Sequence, residues 1–305
     1  MPIVSRTRGF QGRARVSLTP LSGGRKFQLG NTTAITENVE VERTARQNFQ
    51  ESGGGELDVN ETVTSITASL TVDDIKPETI AIGLRAEIQR LATAPITGEK
   101  HAAWAGERVS FKYIPDPDVA VTVAINGDEW AAEADVDVGQ VVIASTQAYV
   151  ATAAGTTDDT APVWPTEGGT VTDGTVTWKH VGPASLPDTA FARTKQGVQF
   201  AADSALFVDA HVSLPIVVGY TINPQFFLQA FVNSGQEFLV EIDGENANDN
   251  GAPNIVRYFR AKPSPTSGFN RVSAEFATME LTLSLLEDPT RIGAGDSKYL
   301  EIAMV

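Results

Sequence analysis

The sequence predicts a mainly β protein in which two antiparallel sheets pack or roll together, with one flanking helix and a small inserted β module. Apolar and hydroxyl side chains alternate from Ser65 to Val72, which is typical of a sheet with one wet face. Asn126-Gly127 and Asp173-Gly174 are strong hairpin signals because both residues of a type I′ turn need positive φ. A single stretch, residues 77–91, has apolar residues at helical spacing.

The composition is that of an ordinary globular chain of 305 residues, 42% of them hydrophobic. Because the chain has no cysteine, it has no disulfide, thiolate metal site or cysteine nucleophile. No apolar run approaches the roughly 18 residues of a membrane span, and Met-Pro-Ile-Val-Ser-Arg-Thr-Arg lacks the apolar run of a signal peptide. We therefore expect synthesis in a cytoplasm and no membrane partner.

The charge is unevenly distributed along the chain. The net charge is −15, yet six basic residues and no acid precede Glu37. Eleven acids and no Lys or Arg lie between Tyr113 and Trp178. A protein of this sign should repel nucleic acid over most of its surface. The basic N-terminal stretch is interpreted as an arm that docks on an acidic neighbouring surface.

Residues 44–58 predict a long loop between two strands. Val39 and Val41 alternate with glutamates, as in a half-buried strand, before periodicity is lost. Gly53, Gly54 and Gly55 make the loop tip compliant, and Phe49 has no apolar neighbour in sequence. Two interpretations remain open: a loosely ordered hairpin tip, and an arm that grips another subunit.

The later elements follow from periodicity. Pro77 begins a helix carrying Ile80, Leu84, Ile88 and Leu91, which Pro95 ends. We expect strands over residues 109–113, 119–125 and 205–220, a short helix after Asn223-Pro224, and a long hairpin across residues 243–254. In residues 272–286 the apolar positions change phase, which predicts one strand with a bulge near Ala277.

The residues give no catalytic site and no cofactor. His101, His180 and His211 are far apart and lack paired metal spacing, and nucleophile-elbow, phosphate-loop and dinucleotide motifs are absent from the sequence. The stretch Asp243–Asn250 is rich in oxygen ligands but departs from the EF-hand loop. Because Asn, Asp and Gly also dominate ordinary turns, we interpret it as a turn, and a bound cation stays open.

A small insert interrupts the chain between Tyr149 and Trp178. We expect residues 136–183 to form an inserted β module and residues 1–135 and 184–305 to fold together as one body. Tyr149, Trp164 and Trp178 either form the core of this module or present a sugar-stacking platform. We favour the core, because a small module needs its aromatic residues inside.

Two stretches of pattern resemble a known family. The order of strand, glycine-bearing loop, strand, helix with P-E-T-I-A-I-G-L, hairpins and late strand A-E-F-A-T-M-E-L-T-L-S-L-L-E-D resembles the major tail tube proteins of long-tailed bacteriophages. The insert, with A-T-A-A-G-T-T, A-P-x-W-P and V-T-D-G-T-V-T-W, is similar to a short module found in phage virion proteins.

The resemblance implies a non-enzymatic virion protein made in the host bacterial cytoplasm. Six copies would form a ring whose sheets close into a barrel, and stacked rings would form the tail tube through which double-stranded DNA passes without specific binding. Further partners would be the tape-measure and tail-end proteins. The loop with Arg46, Phe49 and Gly53–Gly55 would reach the neighbouring ring, and the insert would lie on the outer surface.

The lumen would take its negative charge from Glu40 and Glu42 or from Glu275 and Glu280. Two alternatives stay open: a capsid or decoration protein, and a carbohydrate-binding adhesin acting through the insert. On the tail-tube interpretation, deleting residues 47–57 should leave a folded monomer that cannot polymerise.

Overall fold

The predicted fold class is confirmed: the protein is mainly β, with one short helix and several antiparallel sheets. The computed structural model describes residues 9–50, 54–266 and 268–305. The first elements are β1 Gly12–Pro20, β2 Phe27–Gln28, β3 Thr32–Gln47, β4 Glu56–Val72, α1 Pro77–Gly83, β5 Glu87–Leu91, β6 Pro95–Ala103, β7 Arg108–Ser110, β8 Thr122–Ile125, β9 Asp135–Val136, β10 Val141–Ala144 and β11 Gln147–Ala153.

The remaining strands complete the chain. They are β12 Gly155–Thr156, β13 Thr170–Asp173, β14 Val176–Pro183, β15 Ser185–Leu186, β16 Ala192–Thr194, β17 Gly197–Gln199, β18 Leu214–Thr221, β19 Gln225–Gln229, β20 Phe238–Asn246, β21 Ala252–Pro263, β22 Met279–Leu285 and β23 Leu300–Met304. Short 3₁₀ turns occupy Asp188–Ala190 and Ala247–Asp249.

The chain divides into two compact units. Unit 1 comprises residues 1–89 and 227–305, and unit 2 comprises residues 90–226. The chain crosses between them within β5 and again within β19. The proposed boundaries of the inserted module, 136 and 183, lie inside unit 2 and stay a prediction.

Unit 1 is built on one eight-stranded antiparallel sheet. The strand order is β2-β1-β20-β21-β22-β4-β3, and β23 pairs with the first half of β21. One face of the sheet carries the core, with Leu18, Leu70, Val240 and Leu281 fully buried. The alternation from Ser65 to Val72 is confirmed, since Ala68, Leu70 and Val72 are buried and the residues between them are not.

The helix α1 covers part of this core face. Pro77 occupies its first turn, where a missing N–H costs little, as the sequence predicts. The helix ends at Gly83, where an added Cβ would lie 2.8 Å from the Met279 sulfur and 3.2 Å from Leu281. The glycine therefore permits the close approach of α1 to β22. The prediction that the helix continues to Leu91 is wrong, because Arg85 adopts a left-handed φ of 47° and β5 follows.

Unit 2 contains several small antiparallel sheets. Its main core lies between the sheet β15-β8-β18-β6 and the sheet β16-β17-β7, with Val123, Val198, Phe200, Ile216 and Val218 inside. A separate apolar cluster belongs to the sheet β10-β11-β14-β13 and includes Tyr149, Val176 and Trp178.

Three further local predictions are corrected by the structure. The short helix predicted after Asn223-Pro224 is wrong, because Gln225–Gln229 form strand β19. Asn126-Gly127 does not make a hairpin: β8 pairs with β15 and β18. Gly127 is needed for a different reason, because a Cβ there would lie 2.9 Å from a Val141 methyl carbon. The predicted strand over residues 205–220 is confirmed only from Leu214 onward.

Candidate assembly surface

The most distinctive feature of unit 1 is a long β-hairpin that extends beyond its core. We call residues 39–63 the arm, of which 39–50 and 54–63 are described. The loop predicted over residues 44–58 is much shorter, because β3 and β4 remain paired out to Gln47 and Glu56. Asn48 N donates to Gly55 O at 2.7 Å, which closes the hairpin. The arm is therefore a two-stranded ribbon with a defined register.

The arm has a polar face and a face that carries its valines, which we call the apolar face although the Arg43↔Glu61 pair interrupts it. Directly opposed residues of an antiparallel pair project to the same side, and successive pairs alternate sides. The pairs Val41↔Val63, Arg43↔Glu61 and Ala45↔Val59 therefore share one face. The alternating pairs Glu42↔Thr62, Thr44↔Asn60 and Arg46↔Asp58 form the other.

The apolar face of the arm continues the core face of the sheet. On β3, Ile35 packs on the core, and Glu37, Val39 and Val41 follow it on the same face at intervals of two residues. Val39, Val41, Val59 and Val63 are nevertheless exposed, so the predicted half-buried strand leaves the core before it ends. Within the residues that the structure describes, the chain does not cover this apolar strip.

The arm tip carries the residues that the resemblance singled out. Phe49 is 92% exposed, and Arg46 lies on the polar face three residues before it. Gly54 and Gly55 have φ values of 63° and 125°, which favour glycine and allow the chain to turn back. Gly53 lies outside the described residues. The structure thus places Arg46, Phe49, Gly54 and Gly55 together at one end of the hairpin.

An ion-pair cluster bridges the two strands of the arm. The Arg43 guanidinium donates to Glu56 through both terminal nitrogens, one bond measuring 2.9 Å, and Arg43 Nε lies 3.6 Å from Glu61. The hydrogen bond from Arg43 lowers the pKa of Glu56, and its counterpart raises the pKa of Arg43. These groups are solvent-exposed, so they fix the register of the arm more than they stabilise the fold.

The sheet of unit 1 also has an open edge. Strand β3 has 16 residues and pairs only with β4, so its outer backbone edge has no strand partner among the described residues. A long exposed edge is a template for pairing with another chain unless it is covered. Strand β2 is short, so the outer edge of β1 from Gly12 to Val16 also has no strand partner among the described residues.

The face opposite the core is mainly polar, although Leu239 and Ile255 also lie on it. Thr36, Ser69 and Thr282 lie side by side across β3, β4 and β22, and Asn38, Thr67 and Ser284 form the next row. By the same register Glu40 and Glu280 belong to this face, and Glu42 extends it along the arm. Glu275 instead lies in an exposed segment outside the strand.

The other half of the polar face carries paired charges. Arg257 contacts Glu241 at 3.6 Å and Glu301 at 2.9 Å, and Lys26 also pairs with Glu241. The hydrogen bond from Lys26 lowers the pKa of Glu241, and that from Arg257 lowers the pKa of Glu301. Acids and bases therefore largely compensate one another on this half of the sheet.

The aromatic residues of the proposed module point inward. Trp178 is fully buried and Tyr149 is 2% exposed, so neither ring can stack on a sugar. Tyr149 Oη donates to Pro165 O at 3.0 Å, and its ring lies 4.5 Å from the half-buried Trp164 ring. The sugar-stacking alternative is thus wrong for Tyr149 and Trp178, because both rings fill the module's own core.

A buried carboxylate that the sequence analysis did not single out organises this core. Asp173 is 2% exposed, and its Oδ2 accepts the indole N–H of Trp130 at 2.8 Å and that of Trp178 at 3.0 Å. Its Oδ1 accepts Asp158 N at 3.0 Å. The sequence signal for this buried carboxylate was the V-T-D-G-T-V-T-W motif, but in that motif Asp173 could equally be interpreted as a turn residue.

The histidines take structural parts. His101 Nε2 and Tyr220 Oη each lie 2.7 Å from a different oxygen of Glu99, which also accepts Lys112 N at 2.7 Å. Burial works to raise the pKa of Glu99, but these hydrogen bonds together lower it. His180 Nδ1 accepts Gly168 N at 3.0 Å, and His211 is exposed.

The structure gives no support for a metal site in the part of the chain it describes. There, no group of three or more His, Asp or Glu side chains is arranged to hold an ion. In the Asp243–Asn250 stretch, Asn246 Oδ1 accepts both Asn248 N and Gln11 N, and Asn250 takes a left-handed φ of 51°. Those are turn interactions. No helix of the described residues has the length and apolarity to cross a membrane.

A protein-family model described as Protein of unknown function UCP028589 matches the chain over residues 10–160 and 139–303. These matches together cover nearly all of the chain. The chain belongs to the UCP028589 family. The two matched stretches of this UCP028589 member overlap between residues 139 and 160, a part of the proposed module. No curated protein matches the chain.

Proposed function

We propose that this protein is a structural, non-enzymatic subunit that assembles with copies of itself into stacked rings forming the tail tube of a long-tailed bacteriophage. The observation that carries the proposal is the arm. It continues the hydrophobic core face of unit 1 into solvent, where its valines are exposed. Apolar strips of this kind mark interaction sites, and a second copy is the partner always present.

The open edge of β3 supports the same proposal. The unpaired backbone groups on the outer side of this 16-residue strand would be hidden if the sheets of neighbouring copies joined into a closed barrel. Ring closure is the usual way in which a repeated edge contact ends without aggregation. In the resemblance to tail tube proteins, six copies close the ring.

The polar face suits the wall of a DNA conduit. Its hydroxyl rows carry no positive charge that would hold a phosphate backbone, and Glu40 and Glu280 add negative charge. On the other half, Lys26 and Arg257 are paired with carboxylates, and Arg15 lies opposite Asp243 on the neighbouring strand. DNA would pass such a wall without sticking. The family resemblance adds the tape-measure and tail-end proteins as partners and the virion tail as the location.

The arm can be tested by replacement instead of simple deletion. Thr44 and Asn60 are directly paired, so residues 45–59 can be exchanged for Asn-Gly, which makes a two-residue turn in register. We expect this variant to keep the circular dichroism spectrum and melting temperature of the full chain but to form no polymer in sedimentation velocity runs. Normal polymers from the shortened variant would refute the assembly role of the arm.

The two alternatives predict different products. A capsid or decoration protein would give capsomers or spikes in electron micrographs. An adhesin would bind glycans through Trp164, the only one of the three proposed aromatic residues that keeps part of its ring exposed. Glycan binding that Trp164→Ala abolishes, without self-assembly, would favour the adhesin.

A further inference from the structure

The two ends of the unit 1 sheet differ in chemistry. The arm tip lies beside Glu56, the first residue of β4, and the helix α1 follows Val72, the last residue. Seventeen residues of β4 at about 3.3 Å each separate these ends by roughly 55 Å. We call the second end, which also holds the start of β20 and the end of β21, the helix end.

The helix end contains an apolar pocket. Its volume is about 260 Å³, and its walls include Phe27, Ala81, Ile82, Ile88, Phe238 and Pro263. A cavity of about 150 Å³ is sufficient for benzene, so this pocket has room for one phenyl ring with its Cβ. The pocket is therefore of a size that suits one aromatic side chain rather than a large ligand.

Arg85 lines one wall of the pocket in a constrained position. One terminal nitrogen donates to Pro263 O at 3.2 Å, while Nε is buried without a hydrogen-bond partner among the described residues. The guanidinium carbon would lie 3.6 Å from any Cβ at Gly235, which has a φ of 88°. A guanidinium held in this way offers its flat face to an aromatic ring.

An exposed apolar segment lies at the same end. The chain between Pro263 and Met279 connects β21 to β22, and Met279 pairs with Val72. In it Val272 is 96% exposed and Phe276 is 97% exposed. The strand predicted over residues 272–286 is therefore confirmed only from Met279 onward, and the segment before it is exposed and forms no strand.

We propose that the pocket at the helix end receives Phe49 from the arm of a second copy of this chain, and that the apolar face of that arm covers Val272 and Phe276. This inference rests on the proposed self-assembly and names the surface that the arm engages. Phe49 is the exposed aromatic residue of the arm tip, and the pocket fits one such ring.

The charges at the two ends agree with this contact. Glu78, Arg85 and Glu87 line the pocket, so acids outnumber bases there, and Arg46 lies three residues before Phe49 on the arm. Because donor and acceptor surfaces sit at opposite ends, each copy can engage one neighbour by its arm and another by its pocket. A head-to-tail contact between ends that are offset along the arm in this way repeats from copy to copy and generates an open stack.

Disulfide trapping tests the contact directly, since the chain has no cysteine of its own. The exposed Gln236 lines the pocket, and the exposed Gln50 follows Phe49 on the arm, so the double variant Gln50→Cys, Gln236→Cys keeps the Phe49 ring and should form ladders of covalent multimers under mild oxidation by diamide. The two sites are too far apart to join within one chain. The matched control, Gln50→Cys with Asn38→Cys on the polar face, should not form ladders.

A mixing experiment separates this inference from the proposed function. Phe49→Asp removes the arm's ring, and Gln236→Trp fills the pocket from its rim, each checked for folding by its melting curve. In sedimentation runs, neither variant alone should stack. In an equimolar mixture of the two variants, the particles should double in mass and grow no further. The proposed contact is wrong if the unaltered chain stacks but the double-cysteine variant forms no ladder. It is also wrong if either single variant stacks normally. If the unaltered chain does not assemble at all, the proposed function fails first.

Discussion

Tyr258 Oη donates a 2.6 Å hydrogen bond to Glu37 Oε1 across the interior of the unit 1 sheet. Tyr258 belongs to β21 and Glu37 to β3, which are three places apart in the strand order. In a flat sheet those strands would be about 14 Å apart, at about 4.8 Å per strand. The hydrogen bond therefore spans a sheet that is rolled around its core, as the predicted fold class requires.

Removing this hydroxyl should weaken unit 1. Tyr258→Phe leaves the Glu37 carboxylate without its donor, and because Glu37 is also reached by water we expect a loss of about 1 kcal/mol in the free energy of unfolding. Urea unfolding measures it. Glu42→Gln, an exposed change on the polar face of the arm, serves as the control and should lie within about 0.5 kcal/mol of the unaltered chain. Equal stabilities of the Tyr258 variant and the control would contradict the role of this hydrogen bond.

Alkaline pH should destabilise both units. Burial, followed by the hydrogen bond to Glu37, raises the pKa of Tyr258, and burial with the hydrogen bond to Glu99 raises the pKa of Tyr220. Because the folded pKa values exceed the unfolded value of about 10, the stabilisation is complete below pH 10 and is lost as the pH rises through the folded values. Urea unfolding between pH 8 and 11 should show stability falling above about pH 10, and less steeply in Tyr258→Phe. A flat profile would contradict this assignment.

Asp173 should be essential for the aromatic core of the sheet β10-β11-β14-β13. Asp173→Ala leaves two buried indole N–H groups without an acceptor, which should cost about 3 kcal/mol or more. Three of the four tryptophans lie near this core, so their fluorescence reports its unfolding. Asp137→Ala, an exposed change nearby, should have little effect. Unaltered fluorescence melting of Asp173→Ala would show that the carboxylate is dispensable.

Two adjacent arm residues test which face makes contact. Val59 lies on the apolar face and Asn60 on the polar face, and both are exposed. Val59→Asp and Asn60→Asp each add one negative charge at nearly the same place. We expect Val59→Asp to abolish polymer formation in sedimentation runs and Asn60→Asp to retain it. The reverse result, or equal effects, would show that the apolar face is not the contact.

A turn can be predicted from its residues only when their side chains are not needed for another contact in the fold. The hairpin near Asp173-Gly174 is present, but Asp173 pairs with Val176, so the turn residues are Gly174 and Thr175. Gly174 has a φ of 60°, as a turn that begins with glycine requires. The turn begins one residue later than predicted because the Asp173 carboxylate binds indoles in the core. The sequence alone does not show a hydrogen bond between residues 43 positions apart.

Periodicity predicted the core strand and overextended the helix. Leu70 and Val72 are buried as alternation requires, whereas Ile88, at helical spacing, belongs to β5. The helix stops because Arg85 is left-handed, a conformation imposed by tertiary contacts. In the arm, apolar residues still alternate with polar ones up to and past Val41, but their side chains are exposed. A pattern marks a face as apolar without saying whether the covering surface belongs to the same chain.

The sequence predicts a loop where the structure has a two-stranded ribbon. The glycines and Phe49 suggested a loop tip, yet the pairs from Val41↔Val63 to Arg46↔Asp58 extend the strands. The bulges opposite Glu40 and before Gln47 interrupt simple alternation on β4, which made this stretch look aperiodic. Side chains on β3 keep their phase, so the strip of valines becomes evident only with the register.

Negative-stain electron microscopy of the purified full chain is the decisive test of the proposed tail tube. We expect hollow tubes of stacked rings, seen end-on as closed rings with a central channel. Particles that remain monomeric at every protein concentration, or that form capsomers or spikes instead of tubes, would contradict it.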